Sequence, residues 1–201
     1  MKTLFALFAL TAFATAESIE PIPADKAEMV ARALVQALGA PVDVPFTSVV
    51  DAKKAAGLRA GAGGLIFVPE TKLTLAAVAA AGKEPLALGQ LWMRGASPTV
   101  GDAAPAVVKL RTVEMGEGEE KRSAQVYFVS IAKNDAGTLE LSFFAKEKEA
   151  LVKVRLAKTD ADENGTPVAL TGHKEGEDTG VLVMTIFGSY KADVPVIKAA
   201  E

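Results

Sequence analysis

The sequence predicts an α+β protein that is mainly β. A C-terminal antiparallel sandwich or barrel of about seven strands is expected, with a small N-terminal part of two or three helices and short strands packed on it. Three observations carry this expectation. Two apolar runs, Val126–Ala132 and Leu139–Ala145, flank a break made of Lys133, Asn134, Asp135, Ala136 and Gly137, the grammar of a β-hairpin. Downstream, short apolar or alternating segments recur at roughly 8–15-residue spacing, as in all-β sandwiches. Upstream of the loop-like stretch Gly95–Pro105, helical and strand-like patterns alternate instead.

The chain opens on an export signal. Lys2 supplies a short positive region, Leu4 to Phe13 is uncharged and apolar, and Ala14-Thr15-Ala16 is a small-x-small cleavage signal. Cutting is expected between Ala16 and Glu17. A membrane span needs about 20 apolar residues, and Glu17 and Glu20 arrive too early for that. The 201 residues include no cysteine, so a lipid-modified cysteine after the cut is excluded. No membrane anchor is expected once the signal is removed, and stability must come from packing without disulfides. The organisation read from these signals is a signal peptide over 1–16, an N-terminal α/β part over 17–103 and a C-terminal β part over 104–201. The latter two are expected to form one cooperative unit.

Asp25-Lys26-Ala27-Glu28 has the capping-box pattern after Pro21 and Pro23. Ala27, Val30, Ala31, Leu34, Val35 and Leu38 then trace one apolar stripe of a helix that Gly39 and Pro41 end. Val42 to Phe46 alternates and predicts a short edge strand, because Pro45 cannot donate to a ladder. Ser48 is read as the cap of a short helix through Lys53–Ala56, stopped by Gly57. Gly61-Ala62-Gly63-Gly64 invites comparison with a phosphate loop. Those glycines precede the strand Leu65–Val68 and no helix N-terminus follows them, so a turn is expected. Thr74 caps the alanine-rich helix Leu75–Ala81. Leu86–Arg94 reads as a strand carrying the only tryptophan, Trp92, as a core residue, with Gln90 a buried hydrogen-bonder.

In the second half, Val108, Leu110 and Thr112 alternate with Lys109 and Arg111 as a half-buried strand. Gly116 to Arg122 is a charged turn into the hairpin. The first hairpin strand has two largely apolar faces, Gln125, Tyr127, Val129 and Ile131 on one, Ala124, Val126, Phe128 and Ser130 on the other. It is therefore expected to be covered on both sides, the N-terminal helices serving as one cover. Phe144, sharing a face with Glu140 and Ser142, is the aromatic expected to be exposed. Val152, Val154 and Leu156 alternate with Lys153 and Arg155. Val168 and Leu170 form a short strand, and Val181–Phe187 is apolar on both faces. Tyr190, Ala192, Val194 and Val196 alternate with Lys191 and Asp193 in the last strand.

Composition removes several chemistries. With 22 basic and 25 acidic residues the formal charge is −3, which carries no basic footprint for nucleic acid. One histidine and no cysteine leave no zinc site of several His or Cys ligands and no thiol nucleophile. His173 lies in the polar stretch Leu170–Asp178, without a Gly-x-Ser-x-Gly elbow to pair with, and is read as a solvated loop histidine. Glu114, Glu117, Glu119 and Glu120 are the densest acids, but a glycine-broken charged loop does not desolvate a catalytic acid.

The sharpest local motif is Asp160-Ala161-Asp162-Glu163-Asn164-Gly165, which fits the start of a calcium loop with Asp160, Asp162 and Asn164 as oxygen ligands. Its twelfth position would be Thr171 where a bidentate Glu is needed, and strand pattern follows instead of a helix. A hairpin turn on Asn164-Gly165 is the favoured reading, with calcium as the alternative and Glu175, Glu177 and Asp178 as further oxygens should their loop lie near. Asn164-Gly165-Thr166 also fits a glycosylation acceptor. The expected function is that of an exported, non-enzymatic β-rich binding or structural protein of the bacterial periplasm or extracellular space. It would act on an unknown protein or envelope partner without a cofactor. The alternatives are a carboxylate-based hydrolase and a calcium-stabilised adhesion module.

Overall fold

The computed structural model describes residues 18–39, 43–115, 122–161 and 165–199. Along the chain lie β1 (Ile19–Pro21), α1 (Ala24–Leu38), β2 (Ala56–Ala60), β3 (Gly63–Pro69), α2 (Leu75–Ala79), β4 (Leu86–Arg94) and β5 (Ala96–Pro98). There follow β6 (Arg111–Met115), β7 (Arg122–Lys133), β8 (Leu139–Phe144), β9 (Val152–Arg155), β10 (Ala157–Lys158), β11 (Val168–Lys174), β12 (Thr179–Ile186) and β13 (Tyr190–Lys198). The protein is an α+β, mainly β sandwich whose sheets are antiparallel and do not close into a barrel.

The first sheet runs β1-β2-β3-β4-β7-β8-β9, and its organising strand is β7. One edge of β7 pairs with β4 from Gln125 to Ile131. The other edge is shared, β6 taking Arg122–Val126 and β8 taking Phe128–Lys133. Strands from either side of residue 103 thus lie in one sheet. The second sheet runs β10-β13-β12-β11 and repeats the device, since β13 pairs with β12 on one edge and shares the other between β10 and β5.

Alternation along β7 sends its side chains into two cores. Tyr127, Val129 and Ile131 join Leu91, Leu141, Phe143, Leu182, Met184 and Val194 between the sheets. Ala124, Val126 and Phe128 face the other way with Trp92, Ile66, Val68 and Phe144. That second face is covered by Ala27, Ala31 and Leu34 of α1 and by Val44, Phe46 and Val50 of the segment after it. The small buried residues Ala27 and Ala31 let α1 lie close on the sheet. In β4 the register shifts between Ala87 and Gly89, which turns both Leu88 and Leu91 into the inter-sheet core. Only glycine fits there: Gly89 has φ 152°, and an added Cβ would lie 2.2 Å from the Val68 carbonyl oxygen.

Several local expectations are corrected. Helix α1 begins directly after Pro23, with Asp25 in its first turn and no side-chain cap, because proline already fixes the entry. The segment around Val44–Phe46 is not a strand; Phe46 meets the Phe144 ring edge-on at 5.5 Å between centroids. Phe144 is accordingly buried, since the sheet face that its alternation leaves open is roofed by this segment. Ala52–Lys54 is a short 3-10 turn capped by Asp51, while Ser48 donates instead to the Glu70 carboxylate and Ala56 starts β2. Val107–Lys109 is likewise a 3-10 turn, leaving β6 to start at Arg111. In β12, Leu182, Met184 and Ile186 are buried but Val181 and Val183 are only half-buried, because no layer packs on the outer face of the second sheet among the described residues.

Other expectations hold. Thr74 Oγ1 accepts the Ala77 N–H at the start of α2. Gln90 is buried and accepts from Trp92 Nε1 at 3.2 Å. In the β7–β8 turn Asn134 Oδ1 accepts the N–H groups of Ala136 and Thr138, and Gly137 takes φ 77°.

Phe128 is 3% exposed at the centre of the helix-side core. Phe128→Ala should therefore lower unfolding free energy by about 3–5 kcal/mol in denaturant titrations. A loss below about 1 kcal/mol would place β7 at the periphery of the fold.

Candidate functional site

A cleft lies between the two sheets at one end of the sandwich, and its space comes from the inward-facing positions of their strands. Along β2 these are Ala56, Leu58 and Ala60, and along β3 they are Leu65 and Gly63 towards the same turn. Along β11 and β12 they are Leu170 then Gly172, and Leu182 then Gly180. Each strand thus carries a large residue in the core and a small one at this end. The result is a cleft of about 430 Å³, floored by Leu58, Leu65, Met93, Leu182 and Val196, with Ile19 at its side.

Two features form the walls. On one side the chain leaves β4 at Gly95, whose φ of 74° makes the corner that carries β5 across to pair with β13; the Ala199 N–H donates back to the Gly95 carbonyl. On the other side β11 approaches β1 at Gly172, where an added Cβ would lie 3.6 Å from two Ile19 side-chain carbons. The corner is held by buried polar groups. The Tyr127 hydroxyl donates to Gln125 Oε1 at 2.7 Å and lies 2.9 Å from the hydroxyl of fully buried Ser97 in β5. Burial pushes the Tyr127 phenol up to about 12, with the Ser97 hydrogen bond opposing in part.

Charged residues border the cleft. Arg59 pairs with Glu20 at 2.9 Å on the face of β2 opposite Leu58 and Ala60, and the Glu20 carboxyl is held below its ordinary range first by the Ser18 hydroxyl and then by the Arg59 guanidinium. Lys198 lies 3.8 Å from Asp178, and both are exposed. Half-buried Arg94 borders the cleft at the end of β4, where it alternates with inward-facing Met93 and so shares the sheet face of Trp92.

His173 belongs to strand β11, paired with Val181, and not to a loop. Its side chain is 60% exposed at the cleft mouth, with Nε2 3.9 Å from Glu175 Oε1. Of the calcium-loop residues, Asp160 is exposed in the connection from β10 to β11, while Asp162 and Asn164 lie outside the described residues. Thr159 bonds to Ser189 and Gly188 in the β12–β13 turn, so Asp160 stands at the opposite end of the second sheet from Glu175, Glu177 and Asp178 in the β11–β12 turn. Asp160 is not brought together with that acidic turn. Among the described residues, no group of three or more His, Cys, Asp or Glu could hold a metal ion. No helix of the described residues is long and apolar enough to cross a membrane.

No protein-family model, curated protein or solved structure matches the chain. The cleft escaped sequence reading because its defining residues are turn-like glycines and alanines separated by more than a hundred positions. The available signal is the break in alternation, where an inward row of large residues ends on Ala60, Gly63, Gly172 and Gly180.

The raised Tyr127 pKa has a direct consequence for stability. Tyrosine ordinarily ionises near 10, so the native state keeps the proton longer than the unfolded chain does. Its contribution is complete below pH 10 and is lost as pH rises through about 12, amounting to about 2–3 kcal/mol. Denaturant unfolding at stepped alkaline pH should show this decline, and Tyr127→Phe should flatten it relative to the native protein.

Proposed function

We propose that this protein is an exported, non-enzymatic binding protein of the bacterial periplasm or extracellular space, and that its ligand enters the cleft between the two sheets. The observation that carries the reading is the cleft itself: an apolar floor of about 430 Å³ beneath a charged mouth, the form that small-ligand sites take. A hydrolase reading needs two converging carboxylates, one of them desolvated. The acids lining this cleft, Glu177 and Asp178, are neighbours on one exposed turn. The single histidine sits beside Glu175 in solvent. Export rests on the N-terminal pattern of Lys2, the apolar Leu4–Phe13 and Ala14-Thr15-Ala16.

Two measurements test this proposal. A neutral apolar fluorophore such as Nile red should bind the native protein saturably at one site. Ala60→Phe, which places an aromatic ring at the cleft mouth, should abolish that binding while leaving the unfolding midpoint near its native value. Unsaturable binding, or binding that survives the plug, removes the cleft from the reading. Separately, fractionation of producing bacterial cells should recover the protein outside the cytoplasm with Glu17 as its first residue. A cytoplasmic chain retaining Lys2 contradicts export.

A further inference from the structure

We infer that the cleft takes its ligand tail first: one unsubstituted alkyl end lies on the floor, and the polar end stays in water at the mouth. This rests on the cleft being a binding site and adds to it the chemistry and orientation of the occupant. The inward rows of the second sheet grade from apolar to charged. In β13 the row reads Val194, Val196, Lys198, and in β11 it reads Leu170, Gly172, Lys174. Each passes from a buried apolar residue, through a half-buried one, to an exposed lysine at the rim. The rim side chains are themselves in water, since Lys198 lies 3.8 Å from Asp178 and both are more than half exposed. An apolar depth that ends in a wet rim matches a molecule that is apolar at one end and polar at the other.

The floor decides which end goes in. Leu58, Leu65, Met93, Leu182 and Val196 offer aliphatic and thioether surface and no strong hydrogen-bonding side chain. The backbone groups of these positions belong to the paired strands β2, β3, β4, β12 and β13. A hydroxyl or amide carried to that depth loses its water without gaining a partner. An alkyl end meets no such cost and gains about fourfold in affinity for each methylene that leaves water. The one aromatic ring bordering the cleft among the described residues, on His173, stands on the outward row of β11 and its side chain is 60% exposed. The floor therefore offers methyl and methylene contact and no stacking face. A space of about 430 Å³ lies near the lower end of the range for small-ligand sites, which leaves room for one chain.

Alkyl maltosides test tail-first entry, because their disaccharide head is uncharged and holds to water. Each is titrated by calorimetry below the concentration at which it aggregates. Decyl maltoside should bind one-to-one and about fifteenfold tighter than octyl maltoside, the gain from two further methylenes. Decanol should bind about tenfold or more tighter than 1,10-decanediol, whose second hydroxyl must reach the floor. Val196→Thr, which sets a hydroxyl on the floor with little change of shape, should narrow that gap. Ala60→Phe should remove every one of these ligands, with Ala60→Leu as the milder plug should the aromatic variant not fold. Equal affinity for the two maltosides, or failure of both beside saturable Nile red binding, overturns the alkyl-chain assignment and leaves the cleft as a site. Equal binding of decanol and the diol, or an unchanged gap in Val196→Thr, overturns burial of the tail. Failure of Nile red together with every alkyl probe removes the cleft reading as well.

Discussion

The fold depends on one constraint: β7 is apolar on both faces and hydrogen-bonded along both edges. A strand of this kind cannot lie on a surface, so the sheet containing it needs a layer on each side. The second sheet supplies one layer through Leu182, Met184, Ile186 and Val194, and α1 with the segment after it supplies the other. The length of β7, twelve residues, has a further effect. Neither β6 nor β8 spans it, so two separate pieces of chain share one edge and are locked in register by the same strand. Without disulfides, this shared pairing is how distant segments are tied together.

The ends of the sandwich are unequal, and the inequality comes from side-chain volume. At the end away from the cleft, the same sheets enclose Leu73, Val78, Leu88, Phe187 and Tyr190. Phe187 even adopts φ 50° in the β12–β13 turn while remaining buried. A non-glycine residue in that region is costly, and the gain from placing a ring in the core offsets the strain. At the cleft end the inward positions of β2, β3, β11 and β12 are Ala60, Gly63, Gly172 and Gly180, whose small size leaves the space unfilled. Filling was therefore available to this architecture, and one end does not use it.

Much of the fold was legible because alternation reports burial directly. The β7–β8 hairpin, the turn on Asn134 and Gly137, Trp92 in the core and the stripe of α1, apart from exposed Val30, follow from period and turn chemistry. What alternation cannot report is which open face another segment will roof. Phe144 alternates with Leu141 and Phe143, so its own strand leaves it on the outer face, and only the distant Phe46 makes that face a core. The reverse error occurs in β12, where Val181 and Val183 look like core residues but face a side that nothing covers among the described residues. The candidate site was illegible for a related reason. A glycine beside a turn is explained by the turn, and its second role as a missing side chain between sheets emerges only once the strands are paired.

The open end also explains why the corner beside it is so strongly tied. Apolar floor residues in contact with water forgo burial, about 25 cal/mol for each Å² left wet. The corner at Gly95 compensates locally: β5 pairs with β13, Ala199 bonds back to Gly95, and the Tyr127 hydroxyl joins Gln125 and Ser97. Those buried bonds act in a dry setting, where a satisfied network rigidifies and a broken one is costly. Because the network lies against the corner rather than in the cleft, it fixes the spacing of the walls without occupying the space between them. A cleft whose width is set by its corner can stay open without a ligand, and can gain stability when one fills it.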